Sequence, residues 1–366
     1  MYWDDHLGRK VDEGAEKEYE PLMTAIAMKA KTLALAERSR LLDVIQRLGR
    51  GTGRRLYVLA YHRVDELDRN PRLDPSLITA TPAQFEAQIQ FIAQRYHPVS
   101  AEEVLETIER GALLPRDAVL VTVDDGYRDF QDVIFPIVRR HGIRPVLFVP
   151  TAYVGQGAFW WDQLFDALQQ TCAQEISTPL GRLSLRTPVE KRAALEHLRA
   201  YIKRSHVPFE QARRELQALC ATMAPNLVSP ERVTLDWDEL RALARSGVTI
   251  ASHSHTHPIL SGVPPDQARG EIRTSQRLIA REIGHALPIF AFPDGNPAAF
   301  NPNVVSLLRE EGFKLAWTMM EGCSRLELDD PLCLPRIAME GKLTRAQVHF
   351  RLTPAYDYKE RRTGRA

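Results

Sequence analysis

After Arg55 the chain alternates between short, β-branched apolar runs and longer stretches with helical spacing, and this alternation constrains the fold more than any other feature. Apolar runs at Leu56 to Ala60, Val119 to Val123, Pro145 to Val149, Val248 to Ser252, Pro288 to Phe292 and Lys314 to Trp317 predict strands. Thr81-Pro82 reads as an N-cap with proline at the first helical position, and Phe85, Ile89 and Ile92 supply the buried stripe of that helix. Further helices are predicted over Ala101 to Arg110, Asp132 to Arg140, Asp236 to Ser246, Asp266 to Ile283 and Pro302 to Glu311, each stopped at or near a glycine. Strand–helix–strand text of this kind builds a parallel sheet or a barrel.

The rhythm fails in two places. Between Tyr153 and Arg232 the text is mostly helical and charge-rich, which predicts a helical insertion at 153–232. From Glu16 to Gln46, Leu22, Ile26, Leu33, Leu41, Leu42 and Ile45 recur with helical spacing, so 1–54 read as an N-terminal helical extension. Arg38, Arg40, Arg47, Arg50, Arg54 and Arg55 gather charge at its end. That charge suits either a helix packed on its own domain with a solvated arginine face, or a peripheral membrane contact on anionic lipid. Residues 346–366 form a C-terminal tail, expected to fray from Tyr356 onward because that stretch is polar and basic.

A length of 366 residues accommodates one large α/β domain with additions, or two domains. A net charge of +1 provides no global attraction for nucleic acid. Cys172, Cys220, Cys323 and Cys333 form no CxxC pair and read as buried free thiols of a reducing compartment. Met1 to His6 is acidic where a signal peptide is basic, and no apolar run approaches the roughly 20 residues that cross a bilayer. The expected location is therefore the cytoplasm or a membrane face.

Chemistry is expected where parallel strands end at their carboxyl edge. His62, the Asp124-Asp125 pair, His253 to His257, Pro293-Asp294-Gly295 and Arg336 mark five such ends, which predicts one cleft that collects them. Two adjacent carboxylates in a regular strand point to opposite faces, but Gly126 permits a sharp turn that aims both at one cavity. The alternative is a solvated turn that caps a helix. His253, His255 and His257 alternate, so an extended chain puts all three on one face, and Pro258 biases His257 toward extended geometry. An acid pair with a histidine pair is the minimum set for a divalent metal with open positions and a carboxylate to activate its water.

At these residues the chain resembles the polysaccharide deacetylases, the NodB-homology or carbohydrate esterase family four group. The family motif Thr-Phe-Asp-Asp-Gly appears as Thr122-Val123-Asp124-Asp125-Gly126, and His-(Ser/Thr)-x-x-His as His253-Ser254-His255-Thr256-His257. The likeness runs from about Leu56 to Leu343 outside the insertion and extends to a bacterial branch with a Tyr-His-Arg-Val first strand, here Tyr61-His62-Arg63-Val64. It implies an α/β fold, a distorted seven-stranded (β/α) barrel over 55–345. It also implies Asp125, His253 and His257 as ligands of a divalent metal, Zn²⁺ first and Co²⁺ or Fe²⁺ otherwise, with Asp124 as general base. His255 falls at a variable position of the motif and is expected to be a neighbour of the metal rather than a ligand.

Two departures from the family pattern matter. The third motif, Arg-x-Pro-(Tyr/Phe)-Gly, is here Ala291-Phe292-Pro293-Asp294-Gly295, without the arginine that orients the base. The N–H of Asp294 still suits an oxyanion, because that role needs no particular side chain. The last motif, Leu-x-His, is absent near Leu334-Pro335-Arg336-Ile337. His62 or another group is therefore expected to protonate the leaving amine, and Arg336 to replace the lost arginine near Asp124. Tyr127 and Trp161, with Phe159 and Trp160, either offer flat surfaces to sugar rings or pack in the core.

The activity that the resemblance implies is removal of N-acetyl groups from an amino sugar of a polysaccharide, an oligosaccharide or a lipid-linked precursor. Its rivals are an amidase or deformylase acting on a non-sugar substrate, and a non-catalytic, metal-dependent saccharide binder. A pure binder has no need of the base Asp124 beside a metal ligand.

Overall fold

Six apolar runs become strands and a seventh joins them: β1 Leu56–Tyr61, β2 Ala118–Val123, β3 Val146–Val149, β4 Thr249–Ser252, β5 Ile289–Ala291, β6 Leu315–Glu321 and β7 Leu334–Ala338. In this computed structural model, which describes residues 32–33, 35–38, 40–49, 55–204, 209–224 and 232–363, every strand is parallel to its neighbours. Their order around the sheet follows the chain, and β1 pairs with both β2 and β7, which closes a seven-stranded barrel. A two-residue strand, His97–Pro98, pairs with the start of β2.

Strands buried on both faces explain the continuous apolar text. Leu56, Val58, Leu120, Phe148, Trp317 and Leu334 belong to one cluster, while the intervening Tyr57, Leu59, Val119 and Val121 pack with Phe85, Ile89 and Ile92 of helix Pro82–Arg95. This period of two carries past the strand ends, so the inward face that begins apolar finishes polar. Helix starts follow local chemistry: Thr81 with Gln84, Ser100 with Glu103 and Asp236 with Glu239 form reciprocal caps. The helix predicted from Asp132 opens instead as a wide turn over Phe130–Ile134 and becomes regular over Phe135–Arg140.

Within 153–232, helices Trp160–Gln170, Pro188–Arg204 and Phe209–Met223 gather around an apolar cluster that includes Leu164, Leu195, Leu198 and Leu216 and takes in Leu73 and Tyr127 from outside the insertion. A short antiparallel hairpin, Glu175–Thr178 with Gly181–Ser184, was not expected there, since four-residue strands display too little alternation to read. Arg72 bonds Asp166, and Arg192 bonds the fully buried Asp74, tying the insertion to the barrel loops.

The predicted N-terminal helix lies outside the described residues over 16–31. Its later part, Leu41–Gly49, packs on the barrel: Leu42 is buried, Gln46 donates to Asp117, and Asp43 pairs with Arg95. Arg38, Arg40 and Arg47 stay exposed. For the described residues this is the packed-helix alternative. No helix among the described residues is long and apolar enough to cross a membrane.

Two expectations need correction. The C-terminal tail does not fray from Tyr356, because Pro354–Thr363 is a helix whose Tyr356, Asp357 and Glu360 are buried, with Arg361 bonded to Asp357, Asp329 and the Cys323 carbonyl. Its polar residues find buried partners that composition does not reveal. The four cysteines are free as expected, but only Cys220 and Cys323 are buried, and Cys172 is exposed.

A separate core under the insertion has a measurable consequence. Leu164→Ala removes a fully buried side chain from it and is expected to lower unfolding stability by about 2–5 kcal/mol. An unchanged denaturation midpoint would contradict an insertion whose core unfolds together with the barrel.

Candidate active site and metal centre

The polar ends of β1, β2, β4 and β5 meet around a cavity of about 910 Å³, which His62, Asp124, Asp125, His253, His257 and Asp294 help to line. Backbone strain concentrates here. Asp125 (φ 76°), Ser254 (φ 63°), His257 (φ 62°) and Asp294 (φ 62°) are all left-handed, which is uncommon for residues with a side chain and clusters at functional sites. Gly126 (φ 75°) completes the turn after the acid pair, and any Cβ there would stand 2.9 Å from Val149 Cγ1. Gly295 does the same after β5, where a Cβ would stand 2.7 Å from the Met319 nitrogen.

The histidine loop is curled, not extended. Glu271 accepts from the N–H groups of His255 and Thr256 and from the Thr256 hydroxyl, while Ser254 Oγ accepts the His257 N–H. This corrects the extended geometry expected before Pro258: the turn separates the three histidines and brings His253 and His257 together. Their Nε2 atoms are 3.2 Å apart, and they lie 3.8 and 3.6 Å from Asp125 Oδ1. His255 turns away and meets the Thr151 hydroxyl through Nδ1. Glu271 was invisible to motif reading, yet a signal existed: it shares the buried stripe of helix Pro265–Ile283 with Ala268, Ile272 and Ser275. A carboxylate on an apolar stripe is seldom without a partner.

One ligand atom each from Asp125, His253 and His257 lies within 4.8 Å of the others. The donor set fits a divalent cation. Burial pushes His253 down to about 4 and His257 well below the ordinary imidazole value, so both imidazoles are neutral at pH 7, the form that can ligate a cation. His253 Nδ1 lies 2.8 Å from the Ala291 carbonyl, which sets the tautomer that leaves Nε2 free. Burial, then the charges of Asp124 and Asp162, push Asp125 well above the usual carboxylate range, the mark of an anion without its counter-charge.

Asp124 behaves oppositely. Burial raises it, but the charge and hydrogen bonds of the Arg336 guanidinium, with His253 and His62, together hold the carboxyl well below its ordinary value. Arg336 Nη1 and Nη2 each donate to one Asp124 oxygen at 2.8 Å, with both residues buried, and Nε donates to the Thr318 carbonyl. Arg336 thus sits where an arginine that orients Asp124 has to be. His62 Nε2 is 3.9 Å from Asp124 Oδ2. Burial lowers its pKa, with Asp124 opposing and Arg336 and Lys203 reinforcing the shift.

After β5, Pro293 lines the cavity, and the Asp294 N–H finds no acceptor in the protein among the described residues, whereas the Gly295 N–H bonds the Pro293 carbonyl. Trp161 also lines the cavity, its ring 5.1 Å from that of His257, and its indole N–H donates to the Tyr127 hydroxyl. Tyr127 itself does not face the cavity as expected. It is buried beneath Arg63, and its hydroxyl donates to Asp162, so it braces the site from behind. Phe159 is fully buried and packs rather than binds. Lys203 and Asn296, also on the cavity wall, escaped sequence reasoning because neither belongs to a motif.

Comparison with known proteins follows from this geometry. Residues 113–316, more than half of the chain, match the sequence profile of the family described as polysaccharide deacetylase. No curated protein matches the chain. Among solved structures, the Streptococcus pyogenes deacetylase PplD in complex with acetate is similar over 82% of this chain and 99% of its own, at 17% identity and a TM-score of 0.55. A de-N-acetylase from Aggregatibacter actinomycetemcomitans covers 80% of this chain and 98% of its own, at 17% identity and a TM-score of 0.52. IcaB from Ammonifex degensii covers 82% and 98%, also at 17% identity and a TM-score of 0.52. At such identity these structures speak for the fold, whereas the profile speaks for descent. His62 and Arg336 lie outside the matched stretch and join the site only through barrel closure. The chain belongs to the polysaccharide deacetylase family and is a deacetylase of the hydrolase class.

Proposed function

We propose that this chain removes the N-acetyl group of an amino sugar with the help of a divalent ion, Zn²⁺ being the preferred occupant and Co²⁺ or Fe²⁺ its substitutes. The observation that carries the reading is the convergence of Asp125, His253 and His257 beside an ionised Asp124 in one cavity. An ion held by those three would acidify water and polarise the acetamide carbonyl. Asp124 takes the proton of the attacking water, and Arg336 fixes the direction of both carboxylate oxygens. Paired in this way Asp124 is a weak base, so Arg336 contributes orientation more than basicity. The Asp294 N–H donates to the oxyanion. His62, neutral at rest, takes the proton over from Asp124 and delivers it to the leaving nitrogen, so acetate and a free amine depart. The insertion, whose Trp160 and Phe209 wall the cavity, favours a short saccharide, a chain end or a lipid-linked precursor over the middle of a long polymer.

Acetate release from an N-acetylglucosamine oligosaccharide is the direct test. Asp124→Asn is expected to reduce it about 10²–10⁴-fold while metal content holds. Wild type and variant that are equally inert would favour a saccharide binder, and preference for formyl or non-sugar amides would favour the amidase alternative. For His62→Gln we expect a loss of about 10²-fold, and near-wild-type turnover with metal intact would reject its acid role.

Arg336→Met removes the charge and the two orienting hydrogen bonds together. Pairing lowers the folded-state pKa of Asp124 below its unfolded value of about 3.9, so its stabilising share is present above that pH and is lost as pH falls. Without the guanidinium, the acid limb of kcat/KM moves to higher pH. Neutral-pH stability falls by about 3–5 kcal/mol, because a carboxylate stays buried without its partner. An unmoved acid limb would show that Asp124 is not the titrating base.

A further inference from the structure

The metal ligands and Asp124 account for the bond that breaks, but not for how a sugar ring is held. On the wall formed by the loop after β5, Asp294 Oδ2 lies 2.7 Å from Lys203 Nζ, and Asp294 Oδ1 accepts from the Asn296 amide. All three residues line the cavity. The Lys203 side chain is 44% exposed and that of Asp294 17%, so the trio faces the cavity's solvent instead of being sealed in the wall. Lys203 ends helix Pro188–Arg204, so the insertion completes a group that the barrel begins.

Charge balance narrows what this trio recognises. Among the described residues two cations line the cavity, Arg199 and Lys203. Arg199 Nη2 is 2.8 Å from the buried Asp74, and its Nη1 lies 3.3 Å from Glu196. Lys203 is held by Asp294. Among the described residues no cation on the cavity wall is left over for a phosphate or carboxylate, so an anionic ligand would have to break an existing pair. An uncharged polyol has the opposite need, donors and acceptors at short spacing. The ammonium supplies donors, the carboxylate acceptors and the asparagine amide both. A half-exposed ion pair is a weak structural tie, so Lys203 is free to share its donors with a ligand.

We propose that Lys203, Asp294 and Asn296 form a subsite that reads the hydroxyls of an uncharged acetamido sugar, and that the insertion sets specificity through Lys203. This assignment rests on the deacetylase reading of the same cavity and names its substrate class.

The test compares wild type with Lys203→Met and Lys203→Arg, using acetate release from an N-acetylglucosamine oligosaccharide and from N-acetylglucosamine 1-phosphate, with thermal melts to check folding. Wild type is expected to prefer the neutral sugar. Lys203→Met is expected to raise KM for it about 10-fold or more with kcat within about twofold, the size of a lost charged hydrogen bond, and Lys203→Arg to recover most of that loss. A fall in kcat with KM unmoved would reduce Lys203 to a tie for the insertion and overturn the proposal, as would a wild-type preference for the phosphorylated sugar. If wild type releases acetate from neither sugar, the deacetylase reading of the cavity fails on its own account. Calorimetric binding of the oligosaccharide then still decides the subsite: weaker binding by Lys203→Met supports it, and equal affinity overturns it.

Discussion

Asp124 and Arg336 stand 212 residues apart in the chain, yet they share two hydrogen bonds of 2.8 Å out of reach of solvent. Taking both ions out of water is expensive, and the pair is tolerated only because its geometry is bidentate and its other donors are satisfied. Nε reaches the Thr318 carbonyl and Nη1 also reaches the Thr122 hydroxyl, so β2, β6 and β7 are joined at one point. The rest of the site depends on this knot. It keeps a carboxylate ionised next to one that burial drives toward its neutral form, and it holds the two beside each other with opposite tendencies. Adjacent residues of the same type thereby differ in character, Asp124 kept ionised by its partner and Asp125 left in want of a counter-charge.

Precision around that knot is stored in the backbone. Left-handed residues at Asp125, Ser254, His257 and Asp294 are conformations that side chains disfavour, and they persist because the surroundings over-determine them. Glu271 supplies much of that determination for the histidine loop, with three hydrogen bonds into it from a helix of the barrel's outer layer. On the opposite side, Asp162, Tyr127 and Trp161 form a hydrogen-bonded chain that ends against His257. The insertion is thus more than a roof, because its first helix buttresses His257 while a later one carries Lys203 to the cavity wall.

Legibility of the molecule varied with the range of the interaction. Thr122 to Gly126 could be read because the strand, the turn and the acid pair are consecutive, and the same is true of the caps at Thr81 and Ser100. The convergence of His253 and His257 was readable as a motif, but its local geometry was not. Pro258 argues for an extended His257, and the distant carboxylate of Glu271 overrules it. Tyr127 reads equally well as a sugar platform or as a brace, and only its contact with Asp162 separates the two. Lys203 carries no signal at all, since a lysine near the end of a charged helix is indistinguishable from a solvated one.

The alternating architecture, the acid pair and the histidine pair are written locally, because each depends on residues a few positions apart and on the intrinsic preferences of glycine, proline and β-branched side chains. That Arg336 grips Asp124, that His62 stands beside it, and that Lys203 meets Asp294 emerges from the folded chain alone. Those encounters follow from closing β1 against β7 and from docking the insertion on the barrel, events between segments far apart in the chain that no local spacing records.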